Sequence, residues 1–505
     1  MAKSRAEKVT KNVFFSIATE VIKLFCGLIL PRLILTNYGS AYNGIVQSVS
    51  QFLSMIALMK LGIGSLTRSS LFKPLAEKDD EELNRVLSAT EAFMRRLALI
   101  FAGLVLVFAC VYPILISDEF DWLFSATLII IISISTFAEY YFGFTYQMLV
   151  SADQKDYISS ILSIITIILN TIISVVLINN NFSIHMVKLG SAFANIITPI
   201  FLYIYCHKHY NLKKIKSGNI NKLPQRWDAL THEMASFVND NTDVMILTLF
   251  SNLLEVSVYS VYHYVTVNLK KIITSFVAGF SAAFGEMYAK KEDEVFIKNF
   301  KIYELISHSF TSVIYSTAMV MIIPFVLLYT KDVVDVNYNR LYFAILICLG
   351  GAFDSFRYPY KSVINSTGHF KGTKHIAITE SIINILVSVI CVIKFGLVGV
   401  AVGTFLTMLY GCLSYSSYLS KNILKIDYKD SFVRIVISFV TIVLTYLISR
   451  LYMGEINNYL NWIVYSIITG LLSMIITLII NKMLYNDVFM QAINKIKRVI
   501  LRKVK

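Results

Sequence analysis

The sequence carries little charge for its length. Asp, Glu, Lys and Arg make up only 15% of the 505 residues, where a globular chain carries about a quarter. Apolar residues make up 56%, and the mean hydropathy is +0.64. The apolar residues are gathered in runs that are too long and too frequent for soluble cores. The composition therefore excludes an ordinary soluble enzyme, a fibrous protein and a disordered tail.

Catalytic and metal-binding motifs are also missing. The sequence contains no G-x-S-x-G, H-E-x-x-H or P-loop motif, and no segment between the apolar runs is long enough to form an enzyme domain. None of its six cysteines stands in a C-x-x-C pair, so the pattern fits neither a zinc site nor a disulfide framework. We therefore expect a protein that is not an enzyme and that has no metal or cofactor.

Long apolar runs dominate what is present. A helix needs roughly 20 mostly apolar residues to cross a bilayer, and the sequence predicts an all-α polytopic membrane protein with 14 transmembrane helices. The weakest candidates are the seventh span, which is polar, and the eighth, which contains two lysines. The predicted spans are 12–35, 42–64, 97–116, 122–150, 158–179, 188–206, 229–250, 256–285, 302–329, 340–362, 376–393, 398–419, 431–453 and 461–483.

The positions of the basic residues predict an orientation. With the N-terminus in the cytoplasm, the inner segments hold 32 Lys and Arg residues, whereas the outer loops hold three, Lys331, Arg340 and Lys394. This bias is a strong positive-inside signal, and it places both termini in the cytoplasm. It also explains the net charge of +14 without a nucleic-acid partner. The first apolar run carries Glu20 and Lys23 and no evident cleavage site, which favours a retained span over a signal peptide.

The chain repeats itself weakly at a spacing near 214 residues. The tripeptide ILT at 34–36 recurs at 246–248, and SADQK at 151–155 resembles STGHFK at 366–371. Six spans in each copy give both copies the same orientation, so we expect two parallel six-helix lobes around a central cavity, plus two C-terminal helices. The predicted domains are an N-lobe at 1–206, a cytoplasmic linker at 207–228, a C-lobe at 229–419, and a final segment at 420–505 with spans thirteen and fourteen and a basic amphipathic tail.

Ionisable residues inside the predicted spans are the candidate functional groups. Each costs roughly 2.5–3.5 kcal/mol in a bilayer, so each must face water, a partner or a ligand. A cavity lined with cations suits an anionic ligand, above all a phosphate or pyrophosphate. The candidate cations are Lys23, Lys60, Lys270, Lys271, Arg32 and Arg357, and the candidate coupling or ion-pair carboxylates are Glu20, Asp240, Asp243, Glu139 and Asp354.

Simpler roles stand beside these. Lys60 and Arg434 lie near span ends, where long basic side chains commonly reach the interface. The aspartates of span seven could pair with cations of neighbouring helices instead of binding an ion. In the tail, an apolar stripe of Phe489, Ala492, Ile493, Ile496 and Ile500 predicts a helix lying in the headgroup layer or one with a solvated basic face.

Short motifs along nearly the whole chain resemble a known family. Their order and spacing are similar to those of the polysaccharide (oligosaccharide) flippases of the multidrug/oligosaccharidyl-lipid/polysaccharide exporter superfamily. The motifs are PR at 31–32, NYG at 37–39, NG at 43–44, KLG at 60–62, NTDVMIL at 241–247, VYS at 258–260, NSTGHFK at 365–371 and FGLVGVA at 395–401.

The resemblance implies a flippase that works by alternating access in the bacterial cytoplasmic membrane. Its substrate would be an undecaprenyl-pyrophosphate-linked oligosaccharide used for capsule, O-antigen or exopolysaccharide assembly, and a polymerase and glycosyltransferases would be partners. In the related lipid II flippases, cationic residues on spans one, two and eight are functional. Lys23, Lys60 and Lys270 are their nearest counterparts here, as lysines in place of arginines. The resemblance leaves open whether H⁺ or Na⁺ drives transport.

Three other functions compete with this one. A drug or cation antiporter of the same superfamily would have an acidic or apolar cavity, and a lipid II flippase would differ only in the sugar. A membrane glycosyltransferase or polymerase would need a carboxylate base and a large outer loop, whereas the predicted outer loops are short.

We predict that Lys23→Ala and Lys270→Ala each abolish surface polysaccharide without lowering the amount of protein, because each removes a central cation. Surface staining and immunoblotting of the variants check this prediction. Normal export by both variants would contradict a cationic cavity.

Overall fold

The computed structural model describes residues 2–60, 62–213, 215 and 227–503, and this part of the chain contains α-helices and no strand. The chain forms two compact units, Met1–Leu230 and Thr231–Lys505. The predicted linker, 207–228, lies partly outside the described residues, and the four predicted domain ranges remain a prediction.

The described part of the first unit has eight α-helices. A 3₁₀ turn, Ala57–Lys60, extends the second helix, and a π-helical turn, Glu139–Gly143, joins the fifth and sixth into one span, Trp122–Ala152. The helices are α1 (Ala2–Tyr38), α2 (Ser40–Ile56), α3 (Ile63–Glu77), α4 (Asp80–Leu115), α5 (Trp122–Ala138), α6 (Phe144–Ala152), α7 (Asp156–Asn179) and α8 (Ile184–His209).

The second unit has ten α-helices within the described residues, counting one that begins just before it. A second π-helical turn, Leu419–Leu424, ends the seventh of these helices. The helices are α9 (Trp227–Phe250), α10 (Leu253–Ala278), α11 (Ser281–Ala289), α12 (Asp293–Tyr329), α13 (Leu341–Ser366), α14 (Phe370–Phe395), α15 (Leu397–Tyr418), α16 (Lys429–Ser449), α17 (Tyr459–Leu484) and α18 (Asn486–Lys503).

The all-helical membrane architecture is confirmed, but the count of 14 spans is not. Eleven described helices are long and apolar enough to cross a membrane, and the bent pair Ser40–Lys60 and Ile63–Glu77 would make twelve. Helices α9 and α10, the predicted seventh and eighth spans, have 24 and 26 residues. They are long enough to span a bilayer, but their charged and polar side chains keep them out of this count.

The repeat seen in the sequence recurs in the helix boundaries. Several helices of the second unit begin 213 or 214 residues after their counterparts in the first. The pairs of first residues are Asp80 and Asp293, Asp156 and Phe370, and Ile184 and Leu397. Left-handed backbone recurs at the same spacing in Lys78 and Lys291 and in Gln154 and Gly368. The two units therefore share helix boundaries and turn conformations as well as short motifs.

A polar cluster fastens the start of α1 to the turn between α6 and α7. The Asp153 carboxylate lies 3.2 Å from Lys8 Nζ and 2.7 Å from Lys155 Nζ, and it accepts a 2.7 Å hydrogen bond from the Tyr210 hydroxyl. Burial raises the pKa of Asp153, but the hydrogen bonds from Lys155 and Tyr210 outweigh burial and hold this pKa below its ordinary value. This contribution to stability is therefore present at neutral pH and is lost as acid protonates Asp153.

Helices α14 and α15 approach each other closely through small residues. Gly399 and Gly403 form a G-x-x-x-G pair on α15, and added Cβ atoms would collide with the Cys391 carbonyl and with Ser388 of α14. Such small-residue pairs let membrane helices pack with their backbones in near contact. This approach sets where the polar residues of both helices lie.

The C-terminal helices cover α12. Trp462 of α17 donates a 3.0 Å hydrogen bond from Nε1 to the Met321 carbonyl of α12, and α16 also packs on α12. Phe489 and Ala492 of α18 pack against Ile302 and Leu305 of α12. The tail's apolar stripe is thus partly buried against protein; the side chains of Ile496 and Ile500 lie outside the described residues.

Gly403→Ala should lower the melting temperature of the purified protein, because its methyl group has no room beside Ser388. Overpacking of this kind costs about 1–3 kcal/mol. Gly470→Ala in α17 is the matched control, since its added Cβ would meet Thr317 at an ordinary 3.6 Å. Equal melting temperatures for the two variants in detergent would contradict the close packing of α14 and α15.

Candidate functional site: a charged cavity in the second unit

The second unit contains a cavity of about 390 Å³, called here the charged cavity. Its walls come from α9, α10, α13 and α15, with Tyr315 of α12. The ionisable residues that line it are Asp240, Asp243, His263, Lys270, Lys271 and Asp354.

The polar residues reach the charged cavity because they share helix faces. On α10, Tyr259, His263, Thr266 and Lys270 follow one another at spacings of three or four residues, and all four line the cavity. This spacing brings side chains to one face of a helix. This polar stripe of α10, the predicted span eight, is therefore part of the cavity wall.

Lys270 lies between two carboxylates from different helices. Its Nζ atom is 2.9 Å from Oδ1 of Asp240 on α9 and 2.7 Å from Oδ2 of Asp354 on α13. The Lys270 side chain is 20% exposed, so water hydrates the ammonium group only in part. The two aspartates supply the remaining stabilisation of its charge.

A buried guanidinium extends the chain of charges. Arg357 lies 2.6 Å from Asp354 Oδ1 and 2.5 Å from Glu380 Oε1 of α14, and the Arg357 and Glu380 side chains are 4% and 2% exposed. Gly411 of α15 leaves the space for this contact, because an added Cβ would collide with the Glu380 carboxylate. Lys270, Asp354, Arg357 and Glu380 thus form a continuous network across α10, α13 and α14.

Asp243 is a carboxylate without a described cationic partner. Its Oδ2 atom accepts 2.8 Å hydrogen bonds from the hydroxyls of Tyr259 and Thr404, and Oδ1 is buried without a hydrogen-bond partner among the described residues. The Tyr259 hydroxyl also lies 3.2 Å from Nδ1 of His263. Asp243 therefore differs from Asp354, whose charge is balanced by two cations.

The candidate residues of the first unit also form pairs. Lys23 lies 3.0 Å from Glu20 within α1, and both side chains are about half exposed. Lys60 Nζ lies 2.8 Å from Glu139 Oε1, so Lys60 is an ion-pair partner in addition to lying near a span end. Arg32, on α1, is half-buried.

Two buried ion pairs correct or extend the sequence interpretation. Arg434 was expected to reach the interface from a span end, but it is buried, with Nε 3.3 Å from Glu304 Oε2. The Tyr360 hydroxyl donates a 2.8 Å hydrogen bond to the same carboxylate. Glu380 was missed altogether. The sequence did contain an indication: Glu380 is the single carboxylate in the apolar run of predicted span eleven. Such a carboxylate needs a cation on a neighbouring helix.

The chemistry available in the charged cavity is ion binding. Three carboxylates and two lysines line it, so its wall carries charges of both signs. An anion can reach Lys270 by replacing a carboxylate, and a cation can be held by carboxylate and hydroxyl oxygens. Within the described residues, no group of three or more His, Cys, Asp or Glu side chains could hold a metal ion.

Comparisons with known proteins define the fold. No protein-family model and no curated protein matches the sequence. Among solved structures, the chain is similar to the lipid II flippase MurJ in an inward closed conformation, with a TM-score of 0.67 and 17% identity, over 94% of this chain and 99% of that chain.

Transporters of one superfamily are also similar to the chain. An inward-facing multidrug resistance MATE family transporter of the MOP superfamily has a TM-score of 0.60 and 13% identity, over 83% of this chain and 96% of that chain. A MOP superfamily transporter from Pyrococcus furiosus has a TM-score of 0.54 and 11% identity, over 83% and 96%. The chain is thus a multi-pass membrane protein with the fold of MOP superfamily transporters.

Glu380→Ala should destabilise the protein by about 3–5 kcal/mol, because it leaves the buried Arg357 without one of its two counter-ions. Glu380→Gln should cost less, since the amide oxygen still accepts a hydrogen bond. Thermal unfolding in detergent measures both variants. Glu455→Ala, at an exposed loop position, is the control, and a loss no larger than in this control would contradict the role of the buried pair.

Proposed function

We propose that the protein is a flippase for undecaprenyl-pyrophosphate-linked oligosaccharides in the bacterial cytoplasmic membrane, with both termini in the cytoplasm. The observation that carries the proposal is Lys270, a central lysine on the wall of a cavity within a transporter fold. An ammonium group within a membrane span costs free energy unless it has a partner of opposite charge. A substrate phosphate can be that partner.

The physical task explains why such a group is useful. A sugar-pyrophosphate head cannot cross hydrocarbon unaided, because burying its charges and hydroxyls is prohibitive. A hydrated cavity carries the head while the prenyl tail remains in lipid. No phosphate bond is broken, so the function requires binding and conformational change without catalysis.

The proposed substrate contacts follow from the cations. Lys270 and Lys271 line the charged cavity, and Arg357 lies behind Asp354 in the same network. We propose the same role in the first unit for Lys23, Lys60 and Arg32. Membrane lipids surround the helices, and a polymerase and glycosyltransferases would supply and consume the substrate; no nucleic acid takes part.

We propose that an ion gradient or the membrane potential drives transport and that no cofactor takes part. The potential supplies about 2.3 kcal/mol per charge per 100 mV. Asp243 is our preferred coupling residue for H⁺ or Na⁺, because its Oδ1 atom has no hydrogen-bond partner among the described residues and hydroxyl oxygens lie beside Oδ2. Asp240, Asp354, Glu20 and Glu139 balance cations instead.

Two observations favour other substrates. The likeness to a lipid II flippase extends over 94% of this chain, which makes a peptidoglycan precursor the first alternative. The three cavity carboxylates suit an organic cation, so a drug or cation antiporter is the second. A membrane glycosyltransferase or polymerase would need a catalytic carboxylate beside a substrate groove, and the charged cavity offers only carboxylates that take part in ion and hydrogen-bond networks.

Reconstituted vesicles separate these functions. We expect the wild-type protein to move a fluorescent undecaprenyl-pyrophosphate oligosaccharide between leaflets. Lys270→Ala should lower the transport rate at least about tenfold, which corresponds to about 1.4 kcal/mol. Lys270→Arg should retain most of the rate, because it keeps the positive charge. Lipid II and an organic cation are tested in parallel. Transport of the cation alone, or equal transport by Lys270→Ala, would contradict the proposal.

A further inference from the structure

Each unit contains a lysine paired with a carboxylate at corresponding places in the repeat. In the first unit Lys60, which follows α2, pairs with Glu139, at the junction of α5 and α6. In the second unit Lys270 of α10 pairs with Asp354 of α13. The two carboxylates are 215 residues apart and the two lysines 210 apart, within about one helical turn of the spacing of 213 or 214 residues between corresponding helices.

The two pairs share a short contact and the same order of spans. The N–O distances are 2.8 Å for Lys60 and Glu139 and 2.7 Å for Lys270 and Asp354. In each unit the carboxylate belongs to the span two positions after that of the lysine in the predicted order. Because the paired residues come from different helices, each pair ties two spans together and differs from an ordinary pair within one helix.

The first pair lies at an irregular place in its span. Glu139 is the first residue of the π-helical turn Glu139–Gly143, and the Lys60 ammonium lies 5.2 Å from the centre of the Tyr140 ring. The Tyr140 hydroxyl also donates a hydrogen bond to the Ala57 carbonyl. Such π-helical turns are frequent at functional sites. Lys60 and Glu139 remain 32% and 41% exposed, so neither side chain is enclosed within the first unit.

We propose that Glu139 and Asp354 are internal counter-ions, which occupy Lys60 and Lys270 when no substrate is bound and are displaced by the phosphates of the headgroup. This proposal rests on the proposed function and adds residues that set substrate affinity and release. An empty site with free lysines would be costly in the membrane and would hold an anion too tightly. A carboxylate that competes for the lysine removes both difficulties.

The competition has a measurable consequence. Replacing either carboxylate by its amide weakens the competition and keeps the shape, so an anion should bind more tightly, although Asp240 remains beside Lys270 in the Asp354 variant. The Lys60–Glu139 pair is partly exposed, and such a pair contributes up to about 1 kcal/mol, which corresponds to about a fivefold change in affinity. Tighter binding separates this role from a structural one, because damage to the fold weakens binding.

Titration calorimetry with inorganic pyrophosphate on the purified full-length protein tests the proposal. We expect Glu139→Gln to lower the Kd by about fivefold, Asp354→Asn to lower it as well, and Lys60→Ala and Lys270→Ala to raise it. In vesicles, the two carboxylate variants should show a lower KM and a lower maximal rate. Glu255→Gln is the control, because Glu255 pairs with Arg340 at 2.6 Å but lies outside the two corresponding pairs.

The outcomes distinguish the two proposals. Unchanged or weaker binding by folded Glu139→Gln and Asp354→Asn, with loss of binding in the lysine variants, overturns the counter-ion role alone. Absence of pyrophosphate binding and of transport by the wild-type protein overturns the proposed function as well. Asp354 also holds Arg357; if Asp354→Asn fails to fold, Glu139→Gln and Asp240→Asn decide the question, since Asp240 is exposed and also pairs with Lys270.

Discussion

The cost of placing charge in hydrocarbon governs this structure. An ionisable side chain at the centre of a bilayer costs several kcal/mol unless it meets water or an opposite charge. In the second unit, Lys270 lies between Asp240 and Asp354, and Arg357 lies between Asp354 and Glu380. Because the partners belong to α9, α10, α13 and α14, balancing these charges also holds four helices in place.

Close helix packing complements this balance. The glycines of α15 allow α14 to approach, and Gly411 opens the space that the Glu380 carboxylate fills. A second buried network ties α16 to the same unit, since Arg434 meets Glu304 of α12 while Tyr360 of α13 binds the same carboxylate. Specific pairs of this kind fix the arrangement of helices where purely apolar contacts would allow sliding.

The sequence predicted what depends on local pattern. Apolar runs predicted the membrane helices, the ionisable residues within them predicted candidate site residues such as Lys270, and the repeat predicted corresponding helices. Contacts between distant helices were harder to predict: the sequence marked Asp354 and Arg357 as candidates but did not show that Glu380 completes their network. The position of Arg434 near a span end suggested an exposed side chain. Its burial depends on packing against α12, and such a tertiary contact cannot be predicted from local pattern.

The count of 14 spans was not confirmed for a related reason. Helices α9 and α10 carry all the Asp, His and Lys residues that line the charged cavity except Asp354, so the residues that suggest function also make these helices too polar to be counted as spans by composition. A helix lined on one side by a hydrated cavity need not be apolar all round. The mixed lining of the cavity likewise depended on packing, which brought three carboxylates beside two lysines.

The account stands on exchange of partners at Lys270. The most direct measurement is a structure of the protein with a bound undecaprenyl-pyrophosphate oligosaccharide. We predict a phosphate oxygen within hydrogen-bond distance of Lys270 Nζ and a Lys270–Asp354 distance well beyond the 2.7 Å of the paired state. A bound headgroup elsewhere, with Lys270 still held by both Asp240 and Asp354, would contradict the account.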